Sequence, residues 1–404
     1  MTPSRIKLLE QLYEYFFLGA IFALPLSIAV MEVCLGLSFM CWLMLKWVKK
    51  EPMCHDQTLV ILAGIFIGIS SISAFNSGYP LLAAQGLIKI SKYALVMLVT
   101  FDLFRDPVKS KRLLFVAVIG FALVLLDSFL QMILGLDLIN GYPIQFTDLN
   151  TRLTGPYKSY GLLAAHIIGM APVALSLAFA SEPYHLKAWK KAALVLLFAA
   201  SLYILYHTHS RGAWTASAAS WVVYTLMLKR KWLVVPLLIT MFTAPFILPR
   251  NAILHLDLQR KEQSIRERAH LWYRAIQVIQ NRPLFGCGIN TYIENYPKFD
   301  KRKSWRVPGY YAHNGYLQMA AETGLISLFF FLLLIGKAIR SGFISYHRAH
   351  GERRLFTIGL MTGTLALLFH AMVDTTLHNL QSAILIWCFF GLLSALKTQT
   401  ERSG

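Results

Sequence analysis

A histidine at the start of an apolar run is the residue best placed for acid–base chemistry. His313 lies where a basic segment enters a run of apolar residues that begins near residue 315. The positive end of the helix dipole disfavours an imidazolium, so this position keeps the ring neutral. A neutral imidazole is the form that a general base requires. The sequence therefore predicts a general base at His313.

An acidic residue follows within the same run, "HNGYLQMAAETGLISL". Glu322 lies nine residues after His313, which on a continuous helix is about 900° of rotation and so the opposite face. It is therefore not expected to orient His313 directly. Two interpretations remain open, because an acid within a membrane span is a functional candidate while this one could equally anchor an arginine or the fold.

An arginine also stands between two apolar runs, in "YHTHSRGAW". Arg211 is followed by Gly212, which permits close approach of another backbone. A guanidinium binds two phosphate oxygens at once through its planar fork, so Arg211 is a candidate phosphate ligand. The alternative is an interfacial anchor whose charge reaches the lipid headgroups.

A second arginine lies on an amphipathic pattern, "EQSIRERAHLWYRAIQVIQ". Arg268 shares a helical stripe with Ile265 and Trp272, whereas Arg266 and Arg274 are expected to point elsewhere. A cation on a packed face is costly unless it meets an anionic ligand or a carboxylate. The carboxylate alternatives are Glu322 and Asp374.

Long apolar runs must position these residues. The chain has 404 residues, of which 56% are hydrophobic and 15% charged, and many runs reach the roughly 20 residues that cross a bilayer. We therefore predict an all-α polytopic membrane protein of about twelve transmembrane helices with one large, partly helical loop on the external side. The predicted spans are 13–31, 33–47, 58–75, 87–104, 113–134, 157–180, 188–207, 212–228, 232–248, 315–336, 355–374 and 380–396.

The basic residues predict orientation and domain organisation. Lysines and arginines collect in alternate connections and at both ends of the chain, so both termini are expected in the cytoplasm. Residues 249–312 break this pattern, with twelve bases and five acids, 12 − 5 = +7. The predicted units are 1–248 (helices 1–9), 249–312 (the external loop) and 313–404 (helices 10–12 and a cytoplasmic tail). A basic loop on the outer side favours an anionic lipid or glycolipid ligand over simple solvation, and nucleic acid is not an expected partner.

The sequence contains few signs of other chemistry. The histidines and five cysteines show no metal-ligand spacing, and no Gly-rich phosphate loop is present. No metal or other cofactor is therefore expected.

Several segments together resemble the O-antigen ligase and O-antigen polymerase superfamily. They are "SRGAW" at the start of a span, "RERAHLWYRAIQVIQNRPLFGCGINTY" in the large loop, "HNGYLQMAAETGLISL" entering the next span and, less closely, "TRLTGPYKSYGLLA" upstream. The matches follow the family's order from Arg152 onward, whereas residues 1–150 match only in hydropathy. Lys158 departs from many relatives, which carry a small or amide residue at that position.

The resemblance implies a metal-independent, inverting glycosyltransferase of the Gram-negative inner membrane. The implied donor is an undecaprenyl-pyrophosphate-linked glycan, the acceptor is lipid A-core, and the active site faces the periplasm. By this resemblance the catalytic residues are Arg211, Arg268 and His313. Further residues expected to contact substrate are Arg152, Lys158, Trp272, Asn314, Glu322, Lys301, Arg302, Lys303 and Arg306.

Three other functions remain open at this point. An O-antigen polymerase would share the donor site but use another undecaprenyl-linked repeat as acceptor. A protein O-oligosaccharyltransferase commonly carries additional periplasmic sequence. A lipid-linked glycan transporter is less favoured, because a transport path would place charged residues through the middle of several helices. A ligase is preferred because the chain is compact and has one dominant external loop.

Overall fold

A computed structural model describes residues 2–146, 151–179, 186–228, 257–299, 311–349 and 351–403. These residues are helical nearly throughout, as expected for an all-α protein. The thirteen helices in this part of the chain are α1 (Pro3–Ala23), α2 (Ile28–Lys49), α3 (Gln57–Phe75), α4 (Pro80–Phe104), α5 (Pro107–Leu134), α6 (Tyr160–Phe179), α7 (Ala188–His207), α8 (Arg211–Met227), α9 (Asp257–Asn281), α10 (Tyr292–Phe299), α11 (Gly315–Arg348), α12 (Gly351–His370) and α13 (Leu380–Ser403).

Seven helical segments in the described part are long and apolar enough to cross a membrane. They are Ile28–Lys49, Gln57–Phe75, Val108–Leu134, Tyr160–Phe179, Ala188–His207, Gly315–Arg348 and Leu380–Glu401. The predicted total of about twelve stays a prediction, and the predicted span 232–248 lies outside the described residues. The boundary between the first two predicted spans was wrong, because the turn falls at residues 24–27 and Ser27 caps α2 by accepting the Val30 N–H.

Close packing of α12 against α6 fixes the two helices that flank the candidate site. A side chain on Gly363 would place its Cβ 2.2 Å from the Gly169 carbonyl oxygen, and one on Gly359 would lie 2.6 Å from the Pro172 carbonyl oxygen. Small residues at such crossings let two helix backbones approach closely. The antiparallel register brings the end of α12 at His370 beside the start of α6.

A short antiparallel pair of strands precedes α6, and the sequence did not predict it. Strand β1 (Gln145–Phe146) pairs with β2 (Thr151–Arg152), with Gln145 opposite Arg152. Gln131, near the end of α5, holds the chain after β2 by accepting the N–H groups of Thr154 and Gly155 at 3.0 and 2.9 Å. These bonds set the position of Arg152 at the end of the bundle where α6 begins.

The first part of α11 is separated from the rest by a break. Gly324 has φ 84°, a left-handed conformation that interrupts the helix. The break allows the segment after α9 to dock, because the carbonyls of Ala321 and Glu322 accept the N–H groups of Cys287 and Gly288, each at 2.9 Å. The loop segment is thereby fixed to the helix that follows His313.

Candidate active site

His313 lies immediately before α11, as the sequence predicts. Its φ of 47° is left-handed, a conformation that costs a non-glycine residue about 1 kcal/mol or more. Asn314 caps the helix, because its side-chain oxygen accepts the N–H groups of Tyr316 and Leu317 at 3.1 and 3.0 Å. The amide of Asn314 is therefore engaged with the backbone, while the His313 ring extends from the turn before the helix.

The His313 ring faces a carboxylate. His313 Nδ1 lies 3.6 Å from Asp374 Oδ1, and the two side chains are 35% and 25% exposed. Asp374 Oδ1 also accepts the Thr375 N–H at 2.7 Å, and Asp374 Oδ2 lies 3.8 Å from His370 Nε2. A carboxylate opposite Nδ1 favours the tautomer that carries its proton on Nδ1, in which Nε2 is the basic nitrogen.

Asp374 carries the negative charge in the His313–Asp374 pair. It lies in the connection between α12 and α13, outside the helices. Burial acts to raise the pKa of its carboxyl, but the nearby rings of His313 and His370 and the hydrogen bond from the Thr375 N–H outweigh burial and lower the pKa to about 2. The carboxylate therefore remains ionised at neutral pH.

Three helices begin against the connection that carries Asp374. A Cβ on Gly161, in the first turn of α6, would lie 3.0 Å from Asp374 Oδ2, and one on Gly212, in the first turn of α8, would lie 2.9 Å from Val373 Cγ2. Gly315, the first residue of α11, donates its N–H to the carbonyls of Ala371 and Asp374 at 2.7 and 3.1 Å. Helix N-termini favour negative charge, so their convergence suits both Asp374 and an anionic ligand.

Arg211 is the first residue of α8 and is exposed at this end of the bundle. A Cβ added at the following residue, Gly212, would lie 3.6 Å from His370 Cδ2. The backbone of Arg211 is therefore next to the connection that carries Asp374. Within the described ranges Arg211 forms no side-chain ion pair. Its charge is thus free to meet a ligand.

Arg268 approaches the same region from α9. It is partly exposed, and it lies close enough to His370 for its charge to act on that ring. Among the residues that the structure describes, Arg268 pairs with neither Glu322 nor Asp374, the two carboxylates proposed as structural alternatives.

Arg152 joins the site from β2. Its guanidinium carbon lies 4.5 Å from the centre of the Tyr160 ring, immediately before Gly161, and Leu153 donates its N–H to the His207 carbonyl at 3.1 Å. Burial lowers the pKa of His209, and the charge of Arg152 lowers it further. Lys158 has an exposed side chain, and the structure records only its carbonyl as a hydrogen-bond acceptor, from Gln145.

Trp272 contacts the backbone that carries the candidate base. Its Nε1–H donates to the His313 carbonyl at 3.4 Å, so α9 helps to position the turn before α11. Arg274, which was not expected on the stripe of Arg268 and Trp272, is nevertheless packed: it is only 5% exposed and lies 5.2 Å from the centre of the Tyr296 ring.

Glu322 contacts the loop rather than His313. Its two carboxylate oxygens accept the Asn290 N–H at 2.9 Å and the Gln318 amide at 2.7 Å, and the side chain is buried. These contacts favour the fold-anchoring interpretation, and a contact with substrate remains a prediction.

The remaining predicted substrate contacts belong to the basic loop. The basic residues Lys301, Arg302, Lys303 and Arg306 lie outside the described residues. Within the described ranges, no group of three or more His, Cys, Asp or Glu side chains is arranged to hold a metal ion.

The sequence did not predict that Asp374 and His370 lie beside His313. The sequence placed Asp374 at the end of a span, 355–374, and considered it only as a partner for Arg268. The sequence feature that could have identified them is their spacing, because His370 and Asp374 lie four residues apart at the end of an apolar run. The structure ends the helix at His370, and the chain then turns so that Asp374 faces the start of α11.

Comparison with known protein families supports the resemblance found in the motifs. The model of the O-antigen ligase family matches residues 195–332, a range that contains Arg211, Arg268 and His313. No curated protein matches the chain. The match supports the resemblance of this part of the chain to the O-antigen ligase family.

Proposed function

We propose that the protein is an O-antigen ligase, which transfers O-antigen polysaccharide from undecaprenyl pyrophosphate to lipid A-core. The observation that carries the proposal is the His313–Asp374 pair, 3.6 Å apart, beside a connection against which three helices start. Arg211 begins one of these helices, and Arg268, on α9, lies close enough for its charge to act on His370. The pair supplies a base with a fixed tautomer, and the arginines and helix ends supply positive charge. A displacement with a pyrophosphate leaving group requires both features.

In the proposed reaction His313 Nε2 removes the proton from the acceptor hydroxyl. The hydroxyl oxygen attacks the anomeric carbon of the donor's first sugar, and the bond between that carbon and the phosphate oxygen breaks. Asp374 stabilises the imidazolium that forms. Undecaprenyl pyrophosphate leaves with the bonding electrons, and attack opposite this group inverts the anomeric configuration.

Arg211 and Arg268 are proposed to bind the pyrophosphate as its negative charge grows. The Gly212 next to Arg211 packs against Val373, the charge of Arg268 acts on His370, and neither arginine is paired with a carboxylate in the described part of the chain. Preorganised donors of this kind stabilise a developing charge without reorganisation. Arg152 would supply a further cation at the edge of the donor site. No step requires a metal ion.

The basic segment that includes Lys301 and Arg306 is proposed to meet phosphates of lipid A-core. Its charge fits a phosphorylated glycolipid, and it lies in the chain shortly before His313. The site would face the periplasm, with both termini in the cytoplasm. Reporter fusions at each terminus test that orientation, since a reporter active only in the periplasm should remain inactive at both ends.

Gene deletion followed by gel analysis of lipopolysaccharide tests the function. We expect the deletion strain to accumulate undecaprenyl-linked polymer and to leave core unsubstituted. A strain whose core carries a single repeat would instead identify a polymerase and overturn the ligase assignment. A purified assay with lipid A-core or a second undecaprenyl-linked repeat as acceptor would separate the same two activities directly.

A further inference from the structure

A groove between α5, α6 and α7 is separate from the candidate active site. Its volume is about 490 Å³, and apolar side chains including Leu114, Val118, Leu177 and Leu194 line it. Ligand pockets typically enclose about 300–1,000 Å³. The groove is therefore large enough for a lipid chain.

The groove lies at the opposite end of the helices from His313. Gly161, in the first turn of α6, lies at the site, and Leu177 on the same helix lines the groove. The two residues are sixteen positions apart, or about 24 Å along the helix axis. Helix α7 runs the other way, ending at His207 near Arg152. The N-terminal ends of α5 and α7 therefore lie beside this groove, and its function is independent of the proposed reaction.

Basic and aromatic side chains stand at the rim. Lys111, Arg112, Trp189 and Lys190 contribute to the lining. Arg112 is engaged by Glu14, with Nη1 and Oε1 2.7 Å apart. Within the described ranges Lys111 and Lys190 form no ion pair, although both are exposed.

The aromatic side chain fits a position at a membrane interface. Trp189 is 65% exposed, and Lys190 Nζ lies 5.4 Å from the centre of its ring. Tryptophan is enriched at membrane–water interfaces, where its amphipathic ring lies at the headgroup level. The rim therefore combines an interfacial ring with two cations that lack carboxylate partners in the described residues.

We propose that this groove binds a phospholipid with a net anionic headgroup. One acyl chain would lie along the apolar wall between α5 and α7, and the phosphate would contact Lys111 and Lys190. The apolar wall selects a lipid over a soluble anion, because burial of a chain supplies about 0.8 kcal/mol per CH₂ group. The two cations select an anionic over a zwitterionic headgroup, because basic pockets between transmembrane helices bind such headgroups.

The binding test uses the full-length protein in mild detergent and native mass spectrometry. Phosphatidylglycerol and phosphatidylcholine with identical acyl chains are titrated separately. We expect tighter binding of phosphatidylglycerol to the wild type. The Lys111→Gln, Lys190→Gln double variant should bind it roughly thirty-fold more weakly, given the contribution of about 1 kcal/mol per basic residue.

Two further variants separate a built site from general surface charge. The Lys7→Gln, Lys50→Gln pair removes the same charge from exposed positions outside the groove and should bind phosphatidylglycerol as the wild type does. Ala193→Trp places a bulky ring in the groove lining and should displace the lipid while all cations remain.

Four results would overturn the proposal. Equal affinity for the two lipids would remove the headgroup preference. Equal weakening in the Lys7, Lys50 control would assign binding to overall surface charge. Unchanged binding by the Ala193→Trp variant, or equally tight binding of glycerol 3-phosphate, would show that the apolar groove does not hold the lipid chain.

Discussion

Replacement of Asp374 by asparagine tests whether this carboxylate acts through His313. Asparagine has nearly the same shape, and its amide oxygen can still accept the Thr375 N–H that Asp374 Oδ1 accepts at 2.7 Å. The fold should therefore be retained. What is lost is the negative charge 3.6 Å from His313 Nδ1, which stabilises the imidazolium formed during proton transfer.

Coulomb's law sets the size of the expected effect. At the 3.6 Å separation, an effective dielectric constant of about 20 to 40 gives an attraction of about 2 to 5 kcal/mol. His313 is 35% exposed, so solvent screening favours the lower end. A loss of about 2 kcal/mol in the transition state corresponds to a roughly thirty-fold lower kcat.

The assay is initial-rate transfer with purified protein, defined donor and lipid A-core. We expect kcat to fall while the KM values for both substrates stay near those of the wild type. Asp127→Asn is the matched control, because Asp127 is also a carboxylate that accepts a backbone N–H, from Leu138 at 2.9 Å. That variant should retain its kcat.

A double-mutant cycle decides whether the two residues act as a unit. If Asp374 works through His313, Asp374→Asn should have little further effect once His313 is alanine. A well-folded Asp374→Asn single variant with less than about a threefold loss of kcat would refute the electrostatic argument, since that corresponds to under about 0.7 kcal/mol. An equal loss in Asp127→Asn would assign the effect to the fold.

Four other substitutions test the rest of the site in the same transfer assay. His313→Ala should lower kcat by about 10²–10⁴-fold while binding of labelled donor persists, because only the general base is lost; near-normal turnover would contradict the base role. Arg211→Lys and Arg268→Lys should each lower turnover at least about tenfold, or about 1.4 kcal/mol, because lysine lacks the planar paired donors; active lysine variants would return both arginines to a structural role. Gly212→Ala should lower turnover at least about tenfold by shifting the connection next to the base, since its Cβ would lie 2.9 Å from Val373 Cγ2. Gly336→Ala, with no atom within 4 Å of the added Cβ, should leave turnover unchanged, and equal rates in the two alanine variants would refute this reasoning.

Local patterns were enough to predict the elements that carry the three proposed catalytic residues. Arg211 begins α8, Arg268 lies on α9, and His313 precedes α11, each because a helix signal lies beside the residue in the sequence. Such features depend on neighbours along the chain and on helix ends, which hydropathy and turn residues reveal.

The partner of His313 could not be predicted in the same way. Asp374 lies sixty-one residues later, and the two meet only because α11 and α12 bring the start of one helix beside the end of the other. The buried position of Arg274 likewise depends on Tyr296, in another helix. Contacts of this kind are set by tertiary packing, which a single sequence pattern does not report.

The position of Asp374 also explains why unpaired arginines are needed for the proposed donor. The starts of α6, α8 and α11 surround its connection, so their positive ends already interact with one carboxylate. Because the pKa of Asp374 is lowered to about 2, that negative charge persists beside the site and repels an incoming pyrophosphate. The helix ends alone would therefore leave little net attraction. Arg211 and Arg268, neither of which has a carboxylate partner in the described part of the chain, supply positive charge that Asp374 does not neutralise by direct pairing.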